Sequence, residues 1–243
     1  MAIVPFLAMT AAEMAQISTY PRKIAWMACH FSPYGLGLSN LPERLPPGSL
    51  LMVDDITPPG SHDPVLIGNQ LARCAEQLQC SGILLDFQRS GCPETEALAN
   101  YLTQALPCPV AVSEPYARGL GCPVFLSLLP PSVPLQEHLA FWQGREIWLE
   151  LGLEAEQLEL TEDGCSTAFL PCPLWTGECF SDESLHCHYT IRTTETSAVF
   201  TLWRTVEDLQ ELLKEAEQLG VANAIGLYQE LGYFPETFPP EDS

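Results

Sequence analysis

Short, almost uninterrupted apolar runs recur along the chain, with helix-like segments between them. Runs of this kind are typical of parallel strands that are buried on both faces of a sheet. They predict strands at 23–29, 49–55, 82–87, 108–113, 123–129 and 146–151. Helices are predicted at 64–79, 93–105 and 134–142, each beginning with a proline, which suits a first helical turn. The alternation indicates an α/β fold built around a parallel sheet.

The pattern changes after Gly152 and then returns. Residues 154–180 predict a hairpin around Asp163-Gly164 and a loop rich in Pro and Cys. Further strands are predicted at 187–193 and 197–203, followed by a helix at 206–219 and a last strand at 222–228. About eight core strands favour a small, irregular (β/α)8 barrel of the TIM type, with an insertion near 154–180, and we expect a single domain over residues 1–243.

The chain is strongly acidic. Ten Lys and Arg face 31 Asp and Glu, a formal charge of −21 at pH 7. Such a field repels phosphate backbones and anionic lipid, so neither nucleic acid nor a membrane is expected as a partner. The N-terminal residues do not resemble a secretory signal, and the ten cysteines include no CxxC pair. We therefore expect a cytoplasmic protein with reduced thiols and no cofactor.

Cysteine and histidine residues cluster between 165 and 188, where zinc would find soft ligands. The cysteines are spaced six or more residues apart, whereas structural zinc sites use knuckles of two to four residues. No metal site is predicted.

Polar and aromatic residues follow most of the predicted strands. In a (β/α)8 barrel the carboxyl ends of the strands form the face that carries the active site. Carboxylates beside aromatic rings are typical of sugar-binding clefts, in which rings stack on sugar faces and polar groups bind hydroxyls. The candidate ligand-binding residues are His30, Tyr34, Asp54, Tyr116, Tyr189, Tyr228 and Gln229. The candidate catalytic residues at equivalent positions are Asp86, Gln88, Asp55 and Glu114, and Glu150 also lies at a strand end.

The segment 81–88, SGILLDFQ, resembles a known signature. It aligns with the Asp-Gly-x-Asp-x-Asp-x-Glu pattern of family 18 glycoside hydrolases, the chitinase-like barrels, and we assign it to the third strand. Gly82 and Asp86 match this pattern, whereas Gln88 stands where the family has its glutamate. The last quarter of the chain is similar in layout to the spore-germination-type members. There Tyr189, Trp203 and Leu231-Gly232 follow in the family's order, and Tyr228 lies near its closing tryptophan.

The resemblance implies an impaired enzyme. In that family the glutamate protonates the leaving oxygen, and the aspartate two residues earlier orients the N-acetyl group that attacks the sugar. An amide has no proton to give, and general acid catalysis is worth about 10²–10⁴-fold. Asp86 and Gln88 are then expected to bind a carbohydrate or another small amide-bearing ligand, such as an N-acetyl sugar, with little hydrolysis.

Two other functions stay open at this point. Asp54, Asp55 or Glu114 are the candidate replacement acids of an active glycosidase. The third possibility is a non-enzymatic interaction protein built on a barrel scaffold, in which the rim residues are simply polar. For single residues, Asp86 equally suits a turn cap or an ion pair with Arg89, and Asp54-Asp55 suits the start of a loop.

Overall fold

Eight parallel strands close into a barrel in the computed structural model, which describes residues 2–17, 23–34, 37–60, 62–89, 91–170 and 178–233. The strands are β1 (Val4–Met9), β2 (Ile24–Phe31), β4 (Leu50–Asp54), β5 (Gly82–Asp86), β6 (Val110–Ser113), β7 (Val124–Leu126), β8 (Ile147–Leu151) and β14 (Asn223–Leu227). In ring order β1 pairs with β14, and β8, β7, β6, β5, β4 and β2 follow, until β2 pairs again with β1. The predicted (β/α)8 barrel is confirmed.

Both faces of these strands are apolar and buried, which explains the uninterrupted runs in the sequence. Residues on one face, such as Leu51, Leu85 and Leu149, pack beneath the surrounding helices. Residues on the other face fill the barrel interior. The interior cluster consists of Phe6, Ala8, Ala25, Leu50, Met52, Leu84, Ala111, Phe125, Trp148 and Ile225.

The helices between the strands are uneven in length. The longer ones begin where predicted: the Asp63 side chain caps the first helix after β4, and Thr205 forms a capping box with Asp208 before the last long helix. The link from β6 to β7 holds a single helical turn, as the short spacing predicts. None of the helices in the described part of the chain is long and apolar enough to cross a bilayer. The helices are α1 (Ala11–Gln16), α2 (Pro64–Gln77), α3 (Pro93–Ala105), α4 (Glu114–Ala117), α5 (Leu135–Ala140), α6 (Val206–Gln218) and α7 (Tyr228–Leu231).

A five-stranded antiparallel sheet is inserted between β8 and α6. The predicted hairpin at its start is confirmed, with Thr161 paired to Gly164 across the turn. Residues 171–177 of the predicted insertion lie outside the described part of the chain. The strands are β9 (Ala155–Thr161), β10 (Gly164–Leu170), β11 (Phe180–Asp182), β12 (Cys187–Thr193) and β13 (Ser197–Trp203), in the order β10-β9-β13-β12-β11, while the two-residue β3 (Leu38–Ser39) pairs with β2.

The assignment of three strands differs from the sequence prediction. The first barrel strand is β1, an apolar segment that was not predicted as a strand, and Pro5 near its start weakens the strand signal. The strands at 187–193 and 197–203 form, but they belong to the inserted sheet rather than to the barrel. As a result the strand that ends at Asp86 is the fourth of the barrel and not the third.

The inserted sheet is held against α6 by paired side chains. His186 Nε2 lies 2.7 Å from Glu215 Oε2, and His188 Nδ1 lies 2.8 Å from Asp208 Oδ2. The Arg204 guanidinium, almost fully buried, donates to the carbonyl oxygens of Leu129, Pro130 and Leu185. These contacts fix the insertion to α6 and to the loop after β7.

Substituting Gly82 by alanine is expected to destabilise the barrel. A Cβ at this position would lie 2.9 Å from Trp148 Cη2 and 3.0 Å from the Pro109 carbonyl oxygen. The indole fills the barrel interior and the carbonyl accepts the Ile83 N–H, so neither can yield freely. Overpacking of this kind costs about 1–3 kcal/mol, measured as the free energy of unfolding in denaturant.

Gly121 provides the matched control, since a Cβ there meets no heavy atom within 4 Å. Gly121→Ala should leave stability unchanged or raise it slightly, by up to about 1 kcal/mol. Equal unfolding free energies for the two variants would contradict the close packing at Gly82.

Candidate ligand site at the barrel mouth

Polar side chains stand in a row where three neighbouring strands end. The register pairs His30 with Asp54 and Asp54 with Asp86, on β2, β4 and β5. Paired residues of parallel strands share one face of the sheet. Beyond Met52, an interior residue, the alternation along β4 therefore turns Asp54 toward the inside of the barrel, and Asp86 points the same way.

A cavity of about 170 Å³ opens at this end of the barrel, and we call it the mouth cavity. Three carboxylates line it: Asp54 and Asp86 on adjacent strands, and Glu150 on β8 across the barrel. The remaining lining is apolar and consists of Ala8, Met27, Met52, Ile56, Phe125, Ile225, Gly226 and Leu227. The arrangement is a small apolar pocket crossed by acidic acceptors at the face where such barrels bind ligands.

Asp86 is held by its own strand and by the next one. The Gln88 side-chain amide donates to Asp86 Oδ1, and Ser113 Oγ lies 3.4 Å from the same oxygen. Burial raises the pKa of Asp86, and the charges of Asp54 and Asp55 add to this, although the two hydrogen bonds oppose it. The structure thus joins Asp86 and Gln88 directly, whereas the Arg89 guanidinium donates to the Ile56 carbonyl instead.

Glu150 is the mouth carboxylate whose pKa is raised most. Burial raises its pKa from 4.5 to about 7, and the negative charge of Asp86 is the next cause. A single donor opposes the shift, the backbone N–H of Leu128 at 3.1 Å from Oε2. At neutral pH this carboxyl group is partly protonated. The sequence places Glu150 at a strand end but gives no sign of its burial, so it was not among the candidate catalytic residues.

Asp54 is half-buried beside His30. Burial raises its pKa, with Asp55 adding to the effect, while the Ile56 N–H at 3.0 Å and the charge of His30 oppose it. The His30 Nδ1 lies 3.2 Å from the Ala28 carbonyl oxygen, which can only accept, so this nitrogen is the donor. Both residues therefore lie at the predicted rim, with Asp54 in the cavity wall.

Asp55 lies on the other side of the strand end. It is 1 % exposed, and its two oxygens accept the backbone N–H groups of Gln88, at 2.9 Å, and Arg89, at 3.1 Å. It does not line the mouth cavity. The geometry makes Asp55 an anchor for the loop after β5, which matches the loop reading of Asp54-Asp55 more closely than a catalytic one.

A larger hollow of about 550 Å³ lies beside the mouth cavity, and we call it the side groove. Phe125 lines both spaces. Glu114 belongs to the groove, where its oxygens accept from Ser127 Oγ at 2.9 Å and Trp142 Nε1 at 3.4 Å. Its further lining residues are Gln88, Ser113, Pro115, Arg118, His138 and Phe141. Two of the candidate catalytic residues, Gln88 and Glu114, therefore lie in the groove.

The predicted tyrosines are dispersed. Tyr34 is 99 % exposed after β2, whereas Tyr116 is buried, donates to the Arg89 carbonyl and packs edge-on against Phe87. Tyr189 lies in the inserted sheet and stacks on Phe180, so its predicted position on the barrel rim is wrong. Tyr228 begins α7, followed by the exposed Gln229, and lies at the carboxyl end of β14 as predicted.

Solved structures share this architecture. The spore cortex-lytic enzyme SleL of Bacillus cereus superposes with a TM-score of 0.59 at 11% identity, over 93% of this chain and 70% of that one. A chitinase from Chromobacterium violaceum gives 0.58 at 11% identity, over 92% and 93%. A putative sporulation-specific glycosylase from Bacillus subtilis gives 0.52 at 10% identity, over 83% and 91%.

The chain shares its (β/α)8 barrel fold with these solved structures. No protein-family model matches the chain, and no curated protein matches it either. At these identities the likeness concerns the fold, and in that respect it agrees with the family 18 resemblance of the segment 81–88. The interpretation of Gln88 as a replacement for a catalytic glutamate stays a prediction.

Replacing Glu150 by glutamine is expected to reduce the pH dependence of stability. A carboxyl whose pKa rises from 4.5 unfolded to about 7 folded favours folding below pH 4.5, and this advantage is lost as the pH rises through 7. At about 1.4 kcal/mol for each pKa unit, the loss approaches roughly 3 kcal/mol. Between pH 5 and pH 8, the free energy of unfolding of Glu150→Gln should therefore rise by about 2 kcal/mol relative to that of the wild type.

Urea unfolding at the two pH values measures this difference. Glu76→Gln, an exposed change on α2, is the control and should follow the wild type at both. Parallel curves for Glu150→Gln and the wild type would show that Glu150 ionises normally.

Proposed function

We propose that the protein binds a carbohydrate or an N-acetyl-sugar-like ligand in the mouth cavity, and that hydrolysis by the usual acid is largely lost. The observation that carries the proposal is the convergence of Asp54, Asp86 and Glu150 on one cavity at the carboxyl end of a chitinase-like barrel. Carboxylate oxygens accept hydrogen bonds from sugar hydroxyls and from an amide N–H. Phe125 and the methionines of the cavity offer apolar contact to a sugar face.

The loss of hydrolysis is argued from Gln88. Gln88 lines the adjoining side groove and its side-chain amide donates to Asp86, so a carboxyl in its place would lie beside Asp86. The amide supports binding of a ligand and the orientation of Asp86, but it offers no proton at neutral pH. Removing the general acid from an otherwise intact site lowers the rate by about 10²–10⁴-fold.

The binding proposal is tested by calorimetry with the tetramer of N-acetylglucosamine. Asp86→Ala should weaken binding by about 10–100-fold, because a hydrogen bond to a charged group is worth about 1.5–3 kcal/mol. Glu76→Ala, on the surface of α2, is the control and should bind as the wild type does. Undiminished affinity in Asp86→Ala would reject the mouth cavity as the site. Failure of the wild type to bind either this tetramer or its deacetylated form would favour an interaction protein on a barrel scaffold.

An active glycosidase is the second candidate, and Glu150 is the observation that favours it. Glu150 lines the same cavity as Asp86, and its pKa of about 7 leaves it partly protonated at neutral pH, as a general acid requires. Of the acids proposed from the sequence, Asp54 shares the cavity, whereas Glu114 faces the side groove and Asp55 is engaged by backbone N–H groups.

Hydrolysis of a fluorogenic N-acetylglucosamine dimer separates the two candidates. If Gln88 marks a lost acid, Gln88→Glu should raise kcat by about 10²-fold or more over a wild type that is nearly silent. Measurable wild-type turnover that survives Gln88→Ala and disappears in Glu150→Gln would instead identify Glu150 as the acid. A Gln88→Glu protein that binds the sugar and remains silent would refute the explanation by a lost acid.

A further inference from the structure

The mouth carboxylates hold unused acceptors that solvent can reach. Each has one oxygen engaged by a hydrogen bond: Asp54 Oδ1 by Ile56, Asp86 Oδ1 by Gln88, and Glu150 Oε2 by Leu128. Among the described residues the second oxygen of each accepts no hydrogen bond, yet none is a sealed polar atom without a partner. Three ionisable acceptors thus remain available to a ligand in one small cavity.

The described lining of the mouth cavity contains no Lys or Arg that would compensate these acceptors. Besides one another, the ionisable groups that act on the three carboxylates are His30, Asp55, Glu154 and Glu230. Of these only His30 can carry a positive charge, and it acts on Asp54 alone. The side groove differs from the mouth cavity in this respect, because the cationic Arg118 lines it.

A single metal ion does not satisfy the carboxylates. In the part of the chain that the structure describes, no group of three or more His, Cys, Asp or Glu could hold one. A cation that contacts the acceptors on β4, β5 and β8 together must be larger than a single metal ion and must present several hydrogen-bond donors. A protonated amine on a sugar ring meets both needs, with three N–H donors beside neighbouring hydroxyls.

We propose that the ligand of the mouth cavity carries a protonated amine, and that the site prefers a free amino sugar, as in deacetylated glucosamine oligomers, over its N-acetylated form. This inference rests on the proposed function, because it assumes that the mouth cavity binds a sugar. An ammonium group relieves the repulsion between Asp86 and Glu150, whereas a neutral N-acetyl group leaves it in place. The net charge of −21 also favours the approach of cations.

The test compares the glucosamine tetramer with the N-acetylglucosamine tetramer by calorimetry at pH 6, where the amine is charged. We expect the amino form to bind at least 10-fold more tightly and to lose affinity as salt rises, unlike the N-acetyl form. We also expect the amino form to release a proton, detected as a binding enthalpy that varies with the ionisation enthalpy of the buffer. The sign follows because a cation beside the mouth carboxylates favours their ionised forms.

Variants separate a built site from general attraction to an acidic protein. Glu150→Gln and Asp54→Asn should each reduce the preference for the amino form several-fold and reduce proton release. Glu207→Gln removes the same charge from the exposed face of α6 and should leave the preference unchanged. Equal losses in all three variants would overturn the proposal, since they would indicate attraction to the net charge alone.

The remaining outcomes distinguish this inference from the function on which it rests. Equal or tighter binding of the N-acetyl tetramer would overturn the amine preference while leaving a sugar site in the mouth cavity. Failure of both tetramers to bind would overturn the proposed function, and the amine preference with it.

Discussion

Closure of the barrel by β1 is the constraint on which the site depends. Its backbone pairs with β14 on one side and with β2 on the other. In the ring that results, β4 and β8 are four strands apart in either direction, so they face each other. In an open sheet that separation would be about 19 Å, at roughly 4.8 Å for each strand. Only the closed ring brings Asp54 and Glu150 to one cavity.

The same closure buries the mouth carboxylates and so destabilises their ionised forms. The pKa values of Asp54, Asp86 and Glu150 are all raised, with burial as the main cause, so each ionised carboxylate is disfavoured where it stands. Asp55, in contrast, has both oxygens engaged by backbone N–H groups. The three mouth carboxylates combine raised pKa values with a place in one cavity, and groups of this kind cluster at functional sites.

The fold was largely predictable because buried parallel strands leave a strong signal. Runs such as 82–87 contain Ile and Leu on both faces, and their alternation with helices indicates the barrel. The strands at 187–193 and 197–203 carried a different signal, since His188, Thr190 and Arg192 alternate with Tyr189 and Ile191. That period of two is typical of an antiparallel sheet with one solvent-exposed face. It could have distinguished the strands of the insertion from those of the barrel.

The site was predictable in position but not in detail. Asp54 and Asp55 follow a strand that is apolar on both faces, so the sequence does not reveal which of them points inward. The register settles it: Met52 is interior, so Asp54 faces the cavity, while Asp55 turns toward the loop after β5. Glu150 was visible as a strand end, but its burial and its proximity to Asp86 come from strands distant in sequence.

Gln88 fits this electrostatic setting better than a glutamate would. A fourth carboxyl beside Asp86 would either ionise against Asp54, Asp86 and Glu150 or hold a proton at a further cost in free energy. The amide avoids both, and its N–H donation to Asp86 lowers the pKa that burial and neighbouring charges raise. A neutral donor at this position therefore favours an ionised Asp86 over a pair of carboxyl groups that share a proton.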